Sequence, residues 1–244
     1  SVGADLTYVL VQFQRDGQPC RLICARSLLD SVMQRLAIEA YQTLSECSGT
    51  ALEHLVVQHP FYRRDIPLLV GEHVTDDAGT GCVHTAPDHG TEDFLVANEY
   101  GIGTLNYILD NGLFRDEVEL FAGEHVYKVD PHVISVLTEH GRLMACSQFT
   151  HSYAHCWRTK TPLIYRATPQ WFISMRENGL LEKALKAVDT VDWHPDWGAA
   201  RIRGMLDNSP DWCVSRQRTW GVPIALFVHR QSGDLHPRCA ELIE

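Results

Sequence analysis

His84 and Asp93 are the side chains in this 244-residue sequence best suited by type and setting to chemistry. An imidazole can position or activate water near neutral pH, and an ionised carboxylate can hold an ammonium group. Both lie in the stretch Gly79-Thr80-Gly81-Cys82-Val83-His84-Thr85-Ala86-Pro87-Asp88-His89-Gly90-Thr91-Glu92-Asp93-Phe94. Gly-Thr-Gly predicts backbone passing close to another segment. Cys82 and Val83 predict a short buried strand, and Pro87 and Gly90 end any regular run. From Thr91 the pattern turns helical, with Phe94, Leu95 and Ala97 apolar and Gly101 suited to the position after the helix. His84 is therefore expected where a strand ends and Asp93 in the first turn of a helix, so that two rigid elements face one pocket. Each residue also has a structural use: a first-turn carboxylate is favoured by the helix dipole, and a histidine can be a hydrogen-bonded wall. A metal set of His84, His89 and Asp93 is a further alternative. Its spacing is not the i, i+4 helical pair of zinc hydrolases, and Pro87 interrupts it.

The elements that must position these groups belong to an ordinary globular composition, 45% hydrophobic and 21% charged. No apolar run approaches a membrane span, and the N-terminal residues lack a signal-peptide pattern. The eight cysteines contain no Cys-x-x-Cys pair, which suits reduced thiols in a cytoplasmic protein. The net charge of −10 is uneven: residues 1–150 hold 9 Lys and Arg against 21 Asp and Glu, whereas residues 151–244 hold 12 against 10. The acidic part cannot hold nucleic acid by general electrostatics, so any RNA contact there must be local.

In chain order, Tyr8 to Phe13 predicts a strand, Asp16-Gly17 a turn, and Arg21 to Ala25 a second strand. Ser27 and Asp30 suggest a capping box opening a helix with Leu28, Leu29, Val32, Met33 and Leu36 apolar. Short β-like runs at Leu52–Val57 and Ile66–Val70, broken by Pro60 and Pro67, read as barrel-like rather than doubly wound. Asp130-Pro131 starts a helix ending at Gly141. Ser174 and Glu177 cap another that carries Leu180, Leu181, Ala184, Leu185 and Val188. His151-Ser152-Tyr153-Ala154-His155-Cys156-Trp157-Arg158 is dense in ligand types, yet without a second cysteine pair no complete zinc site is expected. Arg201, Arg203, Arg216 and Arg218 mix with Trp193, Trp197, Trp212 and Trp220, a composition that suits RNA or phosphate contact and, equally, core and salt-bridge roles.

Three stretches resemble one family, the isoleucyl-tRNA synthetases. The run from Gly79 to Gly90 resembles its editing-domain signature. His151–Arg158 with Lys160–Phe172 resembles the place where that insertion rejoins the catalytic core. Pro210–Pro223 resembles a core segment before the second half of the nucleotide-binding fold. The resemblance implies a mixed α/β fold. Residues 1–147 would be a β-barrel-like editing domain with peripheral helices, lacking its N-terminal Thr-rich segment. Residues 148–244 would be a helical and αβ segment of the class I catalytic core.

It also implies that Asp93 holds the α-ammonium group of a mischarged amino acid and that His84 lies beside the aminoacyl ester. Thr80 and Gly81 would share the substrate wall. The Arg/Trp mixing itself offers Arg216, Arg218 and Trp220 as the tRNA contacts. The implied reaction is water attack on valyl-tRNA, or on valyl-adenylate, within an enzyme that joins isoleucine to its tRNA using ATP and magnesium. The ATP-site signatures His-Ile-Gly-His and Lys-Met-Ser-Lys-Ser are absent here, so the chain itself is not expected to aminoacylate. No cofactor is expected in it, and Thr159, where many relatives carry a cysteine, counts against zinc. A monomer in the cytoplasm, with isoleucine tRNA as partner and no membrane, is the corresponding expectation. Non-catalytic binding of the tRNA end or of an amino acid is the alternative.

Overall fold

The computed structural model describes residues 1–208, 211–215 and 223–244. Its first compact unit is Ser1–Ala167 and its second Thr168–Glu244. The mixed α/β expectation holds. The barrel-like body does not: among the described residues there are three small antiparallel sheets, of three, two and two strands.

The first unit is organised by β1 (Thr7–Arg15), the middle strand of the order β2-β1-β3, with β2 at Gln18–Ala25 and β3 at Tyr41–Ser48. The β1–β2 hairpin turns at Asp16 and Gly17, both at positive φ (51° and 74°), the conformation whose twist suits a two-residue hairpin. Val9, Val11 and Phe13 alternate onto one buried face, and α1 (Leu29–Arg35) packs Val32 and Met33 into the same core as Leu28 and Leu52. Opposite β1, the β3 register shifts between Leu10 and Val11, a bulge that bends the edge strand. The expected Ser27 capping box does not form, because the Ser27 hydroxyl donates to Asp76 Oδ2 at 2.7 Å and the helix starts from Leu28 instead.

The region expected to close a barrel contributes only β4 (Val56–Gln58) and β5 (Asp65–Pro67). Three paired residues per strand cannot bring a sheet round on itself. Two helices follow. The first, α2 (Thr91–Glu99), ends as expected at Gly101 (φ +65°), where Gly101 N–H bonds Asn98 O and Ile102 N–H bonds Ala97 O, a Schellman cap. The second, α3 (Asp130–Glu139), carries Pro131 in its first turn and buries Val136 with Phe121 and Val129 in a separate small core. Residues 162–167 are bonded back onto this unit: Pro162 O accepts from Tyr127, Arg166 reaches Ile108 O and Asp110, and Ala167 N–H donates to Asp88 O.

In the second unit, β6 (Phe172–Ile173) pairs with β7 (Trp212–Cys213). The helices α4 (Leu180–Val188) and α5 (Trp197–Asp207) lie against one another, and α6 (Cys239–Ile243) follows. The Ser174 hydroxyl accepts Glu177 N–H at 3.1 Å, but the expected cap of α4 does not form: a 3-10 turn at Glu177–Gly179, entered from Arg176 with no side-chain cap, comes first, and α4 starts from Gly179. Among the described residues no helix is long and apolar enough to cross a membrane.

Candidate functional site

The Gly-Thr-Gly approach is built into the main core. Ala25 N–H donates to Thr80 O at 2.8 Å, so the loop docks on the end of β2. Gly81 is buried at φ +72°, and a Cβ there would stand 2.5 Å from Ala25 Cβ. Only glycine meets both conditions. Tyr8, buried in β1, accepts Gly3 N–H at 2.8 Å and donates to Gly81 O at 2.5 Å, and its hydroxyl is made harder to ionise chiefly by burial. The Thr80 hydroxyl is spent locally, accepting Cys82 N–H at 3.2 Å.

Cys82 and Val83 do not form the expected buried strand. Cys82 makes one bridge, to Val2, and both residues are exposed. The segment has a partner on one side for a single residue, too little for a ladder. The Cys82 sulfur nonetheless turns in towards Ile23 O (3.9 Å), where lost hydration pushes the thiol upward. That favours packing over nucleophilic use. His84 follows in extended backbone and is exposed.

Asp93 sits in the first turn of α2, as expected, and its carboxylate folds back on the loop: Oδ2 accepts Ala86 N–H at 3.1 Å. Its other oxygen, Oδ1, faces the ring of His73 across 3.8 Å, and both side chains are largely buried. Gly71 makes room for that ring, since a Cβ on it would meet His73 Cε1 at 2.6 Å. The loop between His84 and Asp93 is pinned by Asp88, a buried carboxylate whose Oδ2 accepts the N–H groups of Leu105 (2.8 Å) and Asn106 (2.9 Å).

His89 is turned elsewhere, its Nδ1 lying 2.7 Å from Tyr165 O. Among the described residues no three His, Cys, Asp or Glu side chains converge as a metal site would require, so the set of His84, His89 and Asp93 is not assembled.

Sequence reasoning missed two histidines near this stretch. His73 was invisible because only the fold brings its ring to Asp93; its only local sign is the glycine two positions before it. His59 closes the β4–β5 turn, its Nδ1 accepting the N–H groups of Phe61 (3.3 Å) and Tyr62 (3.1 Å). Burial, then the Arg64 charge, then His84 hold His59 below the usual histidine range. His84 is thus within electrostatic reach of the β4–β5 turn.

Of the residues expected to contact RNA, Arg216, Arg218 and Trp220 lie outside the described residues. Arg203 pairs with Asp189, Trp193 donates its indole N–H to Val188 O at 2.9 Å, and Trp197 and Trp212 are exposed. The described part of the Arg/Trp group therefore mixes structural pairs with open rings.

Residues 11–244 match the family described as tRNA synthetases class I (I, L, M and V). The chain is 61% identical to the isoleucine--tRNA ligase of Hahella chejuensis over 244 residues, all of this chain and 26% of that protein. It is equally similar, 61% over 245 residues and again 26% of the relative, to the isoleucine--tRNA ligase of Teredinibacter turnerae. With that of Vibrio cholerae the identity is 53% over 241 residues, covering 99% of this chain and 25% of the relative. The chain thus spans about a quarter of the length of these curated relatives. With a match over nearly its whole length, it belongs to the class I tRNA synthetases of the isoleucine, leucine, methionine and valine group.

Proposed function

We propose that residues 1–147 form part of the editing domain of an isoleucine-tRNA ligase and residues 148–244 a segment of its catalytic core. The proposed activity is hydrolysis of valine esterified to isoleucine tRNA, and of valyl-adenylate. The observation that carries it is the Asp93 carboxylate, fixed on one oxygen by Ala86 N–H in the first turn of α2, within the stretch that resembles the editing signature. A carboxylate so held suits the α-ammonium of an aminoacyl group, a partner for a charge-assisted hydrogen bond.

His84, exposed nine residues before it, is suited to position the attacking water or to reject a larger side chain. Thr80 and Gly81, docked on the end of β2 at Ala25, are suited to form the wall beside it. Water attacks the ester carbonyl carbon, the bond to the terminal ribose oxygen breaks, and that oxygen leaves with the proton given up by the water. The need for such a site is physical. A pocket fitted to isoleucine rejects valine by only ~1–3 kcal/mol, the general limit for one methylene, of which this amino-acid pair is the standard example. A second site that admits only the smaller side chain multiplies the discrimination.

Activation of isoleucine with ATP and magnesium, aminoacylation of isoleucine tRNA, cytoplasmic location and a monomeric state belong to the same reading of the whole protein. The test is deacylation of valyl-tRNA and isoleucyl-tRNA, both on isoleucine tRNA, by a full-length ligase carrying this chain. Selective loss of valine, abolished by Asp93→Ala, is expected. Unchanged deacylation by Asp93→Ala would overturn the role of Asp93, and equal hydrolysis of both esters would overturn the second-site reading.

A further inference from the structure

We propose that His73 is a positioning residue for Asp93, fixing the carboxylate oxygen that Ala86 leaves unheld. The role assigned to Asp93 rests on the editing reading above; the contact itself does not.

The His73 Nε2 atom is buried and has no hydrogen-bond partner, a costly state for a polar atom. The acceptor it faces is Asp93 Oδ1 at 3.8 Å, beyond hydrogen-bond range by somewhat under ~1 Å. The other carboxylate oxygen already accepts Ala86 N–H at 3.1 Å. A small approach of the ring would give the carboxylate two donors on two oxygens and fix its plane. With its rotation stopped, the remaining lone pairs point in one direction, which is what recognition of an ammonium group needs. Gly71 leaves the space that the ring occupies, and both side chains are about four-fifths or more buried.

Two measurements test this. In a full-length ligase carrying the chain, His73→Phe should lower kcat/KM for valyl-tRNA deacylation on the order of tenfold, the scale of one hydrogen bond to a charge. In the same variant the Ala86 amide, followed by hydrogen exchange, should lose protection as the carboxylate is released. His73→Gln, whose amide nitrogen falls near the Nε2 position, should restore both; His73→Asn, whose amide falls near Nδ1, should restore neither. A merely structural role would not separate Gln from Asn. Should His73→Phe fail to fold, the Gln and Asn variants decide alone, and equal behaviour of the two overturns the proposal. Wild-type activity and Ala86 protection in His73→Phe would overturn it as well. A wild-type protein that does not hydrolyse valyl-tRNA, yet shows the expected exchange pattern, would instead overturn the editing reading and leave the positioning contact standing.

Discussion

The strand β1 and the helix α4 carry comparable apolar patterns and bury them to different extents. β1 encloses Tyr8, Val9, Val11 and Phe13 almost completely, whereas α4 fully buries only Val188 and leaves Leu180 41% exposed. The strand has β2 and β3 on its two edges and α1 over its face; the helix meets chiefly α5. Among the described residues of 168–244, Val188 and Cys239 are the fully buried apolar side chains, while Trp197, Met205 and Trp212 are about three-fifths exposed. Periodicity tells where an element lies, but stabilisation follows from how many surfaces close over it.

Truncating one ring in each unit should expose the difference most strongly. Phe13→Ala should cost ~3–5 kcal/mol in denaturant unfolding of the first unit. Trp212→Ala, removing a larger but exposed ring, should cost no more than ~1 kcal/mol. Comparable losses would mean the two units are held alike.

Two glycines differ in the same way. Gly81→Ala places a Cβ against Ala25 and forces a left-handed backbone, and should destabilise by ~1–3 kcal/mol. Gly204→Ala, inside α5 with open space around it, should stabilise by ~0.5–1 kcal/mol. Thermal melts of the two variants should therefore move in opposite directions.

A smaller effect is expected from pH. His59 in the folded chain is held below its ordinary pKa, so the unfolded state takes up the proton first as pH falls. The contribution is fully present above the ordinary histidine value of about 6.5 and is lost progressively below it. Protonated Nδ1 can no longer accept from Phe61 and Tyr62, so exchange of the Tyr62 amide should quicken at mildly acidic pH beyond its intrinsic pH dependence. His84→Ala should shift that change to slightly higher pH, because it removes one of the groups opposing protonation. The smallest effect belongs to the exposed i, i+4 pair of Glu182 and Lys186 in α4: Lys186→Ala should change stability by ~0.3–0.5 kcal/mol, and less in high salt.

What could be read from the sequence was what short range decides. Asp16-Gly17 set the first hairpin, Thr91 to Gly101 set α2 with its cap, and the apolar stripe of α1 went into the core, because each depends on residues a few positions apart. The three family motifs were legible for the same reason. The barrel was not, since closure depends on long-range pairing that β4 and β5 are too short to supply. The Ser27 cap failed because a distant carboxylate, Asp76, competed for the hydroxyl. Within the site, the first-turn position of Asp93 followed from local pattern, whereas its pairing with Ala86 and the approach of His73 depended on how the loop folds back.

Gly71 has a consequence for how variation in this region is to be understood. Unlike Gly81, it is not at a positive φ, so its backbone does not demand glycine; its neighbour's ring does. An alanine there could be absorbed by swinging the His73 ring aside, which leaves the core intact. Position 71 is thus one where tolerance of folding and tolerance of function come apart. Stability screens would score it as permissive, while natural sequences that hold a histidine at 73 should be constrained to the smallest side chain at 71, and those that lose the ring should be released from that constraint.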